Sequence, residues 1–531
     1  MIVGIGGYSS SKGGNMATDW TQKNVLMVKN EKFIQKAQAL IPQLYMRTEE
    51  PRYWGEGEDL EGSKWSGETS VCGKGDRIIF DFGHNHAGYF HFSCKSVGSP
   101  QDAPAFLKIK FCEVEKEINE ECDEYSGWIS KGWLQEEWLH LDELPCDVKM
   151  ERRYAFRFVV ITVIDTSQKF QVLFRNVRRE TVSSISMKDY SPLDTEDEEI
   201  KKIDEISVRT LANCMQTVFE DGPKRDRRLW LGDLRLQALT AYQVFHEYDL
   251  AKRCLYLFAG MTDQTGMIPA CVFEKPEPHM DDTFLLDYSL FFIPALLEYY
   301  EQSQDRETLE ELAPQALKQM EIALTFVDRE NIVGREGEKI NGREYHCFTD
   351  WNDILDKHCT MQAVIIYCLG YSARLCALIR DARESYYIEK QKKMADAARK
   401  VFWDKEMQAF VSGPTRQVSS ASQVWMVLAG VLQGKDAAGL LARTEKNGVR
   451  MVTPYMHHFY VSALIQCGEK EKAIRHIKDY WGGMIKDGAD TFWELYDPQN
   501  KKESPYGSDS VNSYCHAWSC TPAYLFRKYY I

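Results

Sequence analysis

Three short stretches of this 531-residue chain set carboxylates beside tryptophan, and each falls between segments of helical periodicity. The first, Glu220–Arg235, reads E-D-G-P-K-R-D-R-R-L-W-L-G-D-L-R and places Asp221, Asp226 and Asp233 among arginines, Lys224 and Trp230. The second, Phe348–Asp353, reads F-T-D-W-N-D and holds Asp350 and Trp351. The third, Ala489–Asp497, reads A-D-T-F-W-E-L-Y-D and holds Trp493 and Glu494. The bland reading of such charge is a surface loop laced with weak ion pairs. Leu229, Trp230 and Leu231 inside the first stretch argue against a fully solvated one. Carboxylates next to aromatic planes suit a sugar, whose C–H face rests on the ring while the carboxylates hold hydroxyls or move protons. Cleaving a glycosidic bond takes one protonated acid beside the leaving oxygen and one carboxylate across the ring. Asp226 lies between Arg225 and Arg227, whose charge lowers a carboxyl pKa and works against the first role, whereas burial against Trp230 and repulsion from Asp221 or Asp233 would raise it. Glu494 suits a general base that activates water.

Other chemistry-bearing residues read two ways. Asp287 and Tyr288 precede the apolar run S-L-F-F-I-P-A-L-L, so one of them could reach the sugar or pack in the core. Asp350 either orients Trp351 or binds substrate. Trp493 offers an apolar face beside Glu494. The pair His457-His458 reads as structural. His84, His86 and His91 cluster in D-F-G-H-N-H-A-G-Y-F-H-F. A metal site or a nuclease motif would need a structural context that does not follow. The stretch reads instead as a turn between two strands, and neither a metal nor a cofactor is expected.

These loops need elements to hold them. From about Arg77 to Ser184 the pattern is strand-like. Leu107, Ile109 and Phe111 alternate with Lys108 and Lys110, residues 157–164 are nearly continuous in β-branched types, and Gly75, Gly83, Gly88, Gly98 and Pro100 mark turns. This predicts an antiparallel β-sandwich, with a short helix ahead of it over 33–44. Residues 184–198 read as a polar linker. Beyond it the period changes to that of helices. Twelve helical runs, the last spanning 512–529, fall mostly into antiparallel pairs and predict six hairpins closed into an (α/α)6 barrel. Asp233 is expected at a helix N-cap. The predicted organisation is a flexible segment over 1–30, the sandwich over 31–190 and the barrel over 191–531.

Composition narrows the class. Apolar residues at 44% and aromatics at 12% fill a large core, and the net charge of −14 lacks the basic face that nucleic acid requires. No stretch reads as long and apolar enough to cross a membrane. The N-terminus lacks the basic and apolar regions of a signal peptide. The 15 cysteines contain no C-x-x-C pair, and several (Cys254, Cys368, Cys376, Cys467) lie on apolar helical faces, which reads as reduced thiols in a cytoplasmic protein. The expected partner is a small oligosaccharide or glycoside, and oligomeric state stays open.

The motif D-G-P-K-R-D-R-R-L-W-L-G-D resembles the signature of glycoside hydrolase family 78, the α-L-rhamnosidases. T-F-W-E-L-Y-D, the late N-S-Y-C-H-A-W-S-C-T-P and the intervening F-T-D-W resemble further segments of that family, in the same order. F-D-F-G…G-Y-F-H-F and D-A-P-A-F-L-K-I-K-F resemble its β-sandwich. The resemblance implies an inverting exo-acting hydrolase with Asp226 as general acid and Glu494 as general base. It places sugar-binding residues at Asp221, Arg225, Trp230, Asp233, Trp351 and His516. The family commonly carries Glu inside R-D-E-R, where this chain has Arg227. A non-catalytic carbohydrate-binding protein, or a polysaccharide lyase on the same helical fold, are the alternatives.

Overall fold

The structure is a computed structural model that describes residues 25–57, 62–120, 122, 125–340 and 342–529. An N-terminal β-rich domain precedes a helical domain of six hairpins. The principal strands Tyr45–Glu49, Phe170–Ser183, Arg77–Gly98, Tyr154–Asp165, Ala105–Cys112 and Glu136–Leu141 lie side by side in that order, all antiparallel. Their inward residues (Phe80, Phe90, Phe92, Leu107, Ile109, Phe156, Val172 and Phe174 among them) form one buried cluster. The alternation of Leu107, Ile109 and Phe111 with lysine is thus the inside–outside period of a sandwich strand.

Arg77–Gly98 differs from expectation. Gly83 and Gly88 do not end strands: the strand runs through them for 22 residues. Its register against Tyr154–Asp165 shifts between Asp81 and His86, and Gly83 takes φ +82° there. Glycine accepts this left-handed conformation at little cost. The H-N-H residues sit in this irregularity and dock on the helical domain. Asn85 is fully buried and donates from its backbone to Asp490 (2.6 Å) and from its amide to Thr491 (2.9 Å), while His84 Nδ1 lies 2.9 Å from Asp490. The histidine-rich stretch is therefore a domain joint and not a turn.

In the helical domain, Leu231–Val244, Leu286–Ser303, His358–Ile379, Ser420–Leu428, Pro454–Gln466 and Pro522–Tyr529 form an inner ring: the first five pack each on the next, Pro522–Tyr529 packs on Leu231–Val244, and the 3-10 turn Ala517–Ser519 bridges Pro454–Gln466 to Leu231–Val244. The outer ring contains helices such as Glu384–Val401, which buries only Tyr387, Met394 and Ala398. The inner helices bury nearly every residue, as in Leu231–Val244, because they are covered on all sides. For the same reason His358–Ile379, contrary to the expectation from composition, is long and apolar enough by itself to cross a membrane; here it is an inner barrel helix.

The last helical run is shorter than predicted. Residues 512–521 are a loop with one 3-10 turn, and helix begins at Pro522, whose ring suits a first turn. The predicted N-terminal helix spans Glu31–Ala39. It packs on Asp249–Ala259 of the helical domain, not on the sandwich. Of the segment 1–30 read as flexible, residues 1–24 lie outside the described residues, and Val28–Lys29 pairs with Met261–Thr262.

Candidate active site

The segment after helix Glu198–Cys214 is a tight, closed loop. Asp221 N–H donates to Arg228 O (3.0 Å) and Arg227 N–H to Gly222 O (3.2 Å). A Cβ at Gly222 would lie 2.6 Å from both Arg225 O and Ser513 Oγ, so glycine is required for the loop to lie against residues 513–515. Buried Lys224 donates to Asn512 O (2.9 Å) and pairs with Glu117 of the sandwich. Arg227 takes a left-handed φ of +59° and turns away, donating to Pro223 O (2.8 Å) and Arg153 O (2.6 Å). Arg227 thus serves the domain joint, leaving Asp226 as this part of the loop's contribution to the hollow it borders. Leu229–Trp230 pairs with Cys271–Val272, and Trp230 is the N-cap of helix Leu231–Val244. Asp233 is therefore not the N-cap but a first-turn residue whose carboxylate is left to face the hollow.

The Ala489–Asp497 loop is laced to residues 511–519. Glu494 N–H donates to Ser513 O (3.0 Å), His516 N–H to Phe492 O (2.8 Å) and Ala517 N–H to Asp221 O (2.8 Å), and Trp518 Nε1 donates to Glu494 O (2.9 Å). Three segments distant in sequence are thereby fixed around one hollow of about 390 Å³, its opening to solvent included. It is lined by Asp221, Arg225, Asp226, Trp230, Asp233, Leu285, Tyr288, Phe348, Trp351, Glu494, Tyr506, His516 and Trp518. This is room for one sugar ring and not for a run of them. Asp226, Trp230 and Trp351 are the partly exposed members and frame the mouth.

Arg225 joins the two acids of interest. Its Nη1 lies 3.3 Å from Asp226 Oδ1, and its Nη2 donates to Glu494 Oε2. Tyr506 Oη donates to the other oxygen, Glu494 Oε1. With one guanidinium between them, the nearest oxygens of Asp226 and Glu494 are at most roughly 8 Å apart. Burial pushes the Glu494 carboxyl above the usual glutamate range, while Arg225 and the Tyr506 hydrogen bond draw it back. The Asp221 carboxyl is pushed up to about 7, first by burial and then by the charge of Asp226. Burial and then Arg225 hold His516 far below the usual histidine range, so its imidazole is neutral.

Two buried polar atoms at this hollow, Asp233 Oδ1 and His516 Nδ1, have no hydrogen-bond partner among the described residues. They lie 3.8 Å apart, and His516 Nε2 lies 3.9 Å from Asp221 Oδ2 and 4.0 Å from Glu494 Oε1. These gaps are too long for direct hydrogen bonds. Buried polar groups left unmatched call for an explanation, and hydroxyls of a ligand between them supply one.

The structure thus brings Asp221, Arg225, Asp226, Trp230, Asp233, Trp351, Glu494 and His516 to one wall. It does not bring Asp287, Asp350 or Trp493 there. Asp287 accepts from the backbone N–H groups of Tyr288, Phe348 and Thr349, and Asp350 from those of Trp351, Val452 and Thr453. Both carboxylates shape loops. Trp493 points the opposite way from Glu494 and packs on Tyr496 and Tyr514. Sequence reading left out Leu285, Phe348, Tyr506 and Trp518. Phe348 and Trp518 lie inside motifs quoted above; nothing near Tyr506 marked it. A larger hollow, about 2110 Å³ by the same measure, borders Arg443, Arg450, His457 and Tyr480, and Asp497 is its one carboxylate among the described residues.

Two family models match the chain: the glycosyl hydrolase family 78 alpha-rhamnosidase N-terminal domain over residues 53–181, and the bacterial alpha-L-rhamnosidase 6 hairpin glycosidase domain over residues 188–530. Among solved structures, the rhamnosidase from Klebsiella oxytoca with rhamnose bound is 42% identical with a TM-score of 0.91, over 96% of this chain and 100% of that one. The family 78 rhamnosidase of Bacillus sp. GL1 is 21% identical (TM-score 0.71), over 93% of this chain and 48% of its own. The Streptomyces avermitilis alpha-L-rhamnosidase complexed with L-rhamnose is 15% identical (TM-score 0.64), over 92% and 44%. These last two share the fold, and this chain spans about half their length. No curated protein matches the chain.

Proposed function

The chain belongs to glycosyl hydrolase family 78, the α-rhamnosidases, and is a glycoside hydrolase; from that premise we propose that it removes a terminal L-rhamnose from a glycoside by one inverting displacement. The observation that carries the reading is the pair of carboxylates, Asp226 and Glu494, in the wall of one sugar-sized hollow with Arg225 between them.

Asp226, at the mouth, protonates the departing oxygen. The neighbouring Asp221 carboxyl holds its proton close to neutral pH, pushed up first by burial and then by the charge of Asp226. Glu494, deep in the wall, takes a proton from the attacking water. Its burial strengthens it as a base, and Arg225 and Tyr506 fix its orientation. An upper bound of roughly 8 Å between the acids accommodates both the ~6.5–9.5 Å separation of inverting enzymes and the ~5–5.5 Å of retaining ones, so the anomer of the first product decides between them. Asp233 and His516 receive ring hydroxyls, and Trp230, Trp351 and Trp518 shape the pocket. No cofactor enters these steps. A cytoplasmic location is part of the proposal; it is supported by fifteen free thiols, most of them buried.

The test is a panel of aryl glycosides. The wild type is expected to release phenol from the α-L-rhamnoside. Glu494→Gln should lose roughly a thousandfold in kcat, while L-rhamnose still binds in calorimetry. Near-normal turnover by that variant would remove Glu494 from the mechanism.

A further inference from the structure

Trp128 is 59% exposed, yet it is held firmly. Its backbone N–H donates to Tyr506 O (3.1 Å) and its indole Nε1 to Pro505 O (2.8 Å), and its ring lies 5.8 Å from that of Tyr506. The indole is thus ordered before any ligand arrives, which lowers the cost of binding against it. Tyr506 is the wall residue that holds Glu494. It also touches Trp351 at the mouth (5.9 Å between rings) and carries the Arg225 guanidinium 4.0 Å above its ring. Arg225 in turn reaches Asp226, the proton donor of the proposed reaction. The rim therefore continues from Asp226 across Tyr506 to an exposed aromatic plane, and that plane comes from the sandwich domain.

We propose that Trp128, together with Trp351, is the platform on which the leaving group rests. Its ligand is a ring with an apolar face, either the C–H face of the next sugar or an aryl ring. The inference rests on the glycosidase reading above and gives the sandwich domain a share in selecting the substrate. It also accounts for an indole beside the site that stays 59% exposed among the described residues.

The experiment compares kcat/KM for three rhamnosides, with methyl, glucosyl and p-nitrophenyl leaving groups, in wild type, Trp128→Ala, Trp128→Phe and Trp138→Ala. Trp138 is a comparably exposed indole (47%) on strand Glu136–Leu141, where its ring packs on Phe106. In Trp128→Ala the ratio of ring-bearing to methyl substrate should fall about three- to tenfold, chiefly through KM. Trp128→Phe should recover part of it, and Trp138→Ala should leave it unchanged. A fall with the glucosyl substrate alone assigns the platform to sugars, and with the aryl substrate alone to aryl rings. An unchanged ratio for both in Trp128→Ala overturns the proposal while leaving the hydrolase reading intact. No turnover of any rhamnoside by wild type overturns both.

Discussion

Replacing Tyr506 by phenylalanine removes one hydroxyl and keeps the ring. The ring supports Arg225 on its face and touches Trp128 and Trp351, so the wall should hold its shape. What is lost is the hydrogen bond to Glu494 Oε1. His516 Nε2, at 4.0 Å, is too far to replace it. A hydrogen bond to a charged group contributes about 1.5–3 kcal/mol, and one pKa unit corresponds to about 1.4 kcal/mol. This bond favours the ionised carboxylate, which burial already disfavours. Its loss should therefore raise the Glu494 pKa by about one to two units. A base acts only when ionised, so the acid limb of the kcat profile should move to higher pH by that amount. The loss should be roughly 10- to 100-fold below the limb, with recovery toward the wild-type rate above it. The assay is kcat against pH on an aryl α-L-rhamnoside for both proteins. A uniform loss at every pH, with the limb unmoved, would refute the assignment of Glu494 as the titrating base.

Two further substitutions separate binding from support. The Asp233 carboxyl is held well above its ordinary value, first by burial and then by Asp221 and Glu494. Between the unfolded and folded pKa values the unfolded chain releases this proton and the folded one keeps it, so stability falls as pH rises through that window. Asp233→Asn should therefore raise the melting temperature at neutral pH while weakening L-rhamnose binding about tenfold or more; a lower melting temperature with unchanged binding would contradict this. Asp287→Ala removes the acceptor of the buried Phe348 and Thr349 amides, at a cost of about 2–3 kcal/mol. Thermal unfolding should show a drop of several degrees, and an unchanged melting temperature would mean that the carboxylate does not hold the loop.

What could be read in advance follows the physics of each signal. Helix period and paired runs exposed the hairpins, because inner and outer helices differ in which faces they bury. The start of the last helix was obscured because 512–521 intersperses Tyr514, Cys515, Ala517, Trp518 and Cys520 with polar residues, as a helix does, while its backbone is tied to neighbouring loops and holds His516 at the hollow, the His516 N–H donating to Phe492 O. Asp287 and Asp350 looked like ligands because a carboxylate near a loop has the same sequence signal whether it faces a sugar or caps amides. Trp493 was misjudged because neighbours in an extended loop point to opposite sides: with Glu494 inward, Trp493 faces Tyr496 and Tyr514. Tyr506 follows a polar stretch without periodicity, and only the fold reveals that it touches Glu494. The strand through Gly83 and Gly88 was read as broken because a glycine that permits an irregularity looks like a glycine that permits a turn.

The central claim is that water, activated by Glu494, attacks the anomeric carbon directly on the face opposite the group protonated by Asp226. Proton NMR of the first product from an α-L-rhamnoside, recorded before mutarotation, tests it most directly. β-L-rhamnose as the first anomer is the predicted result. α-L-rhamnose would mean a glycosyl-enzyme intermediate, and the roles given to these two carboxylates would be wrong.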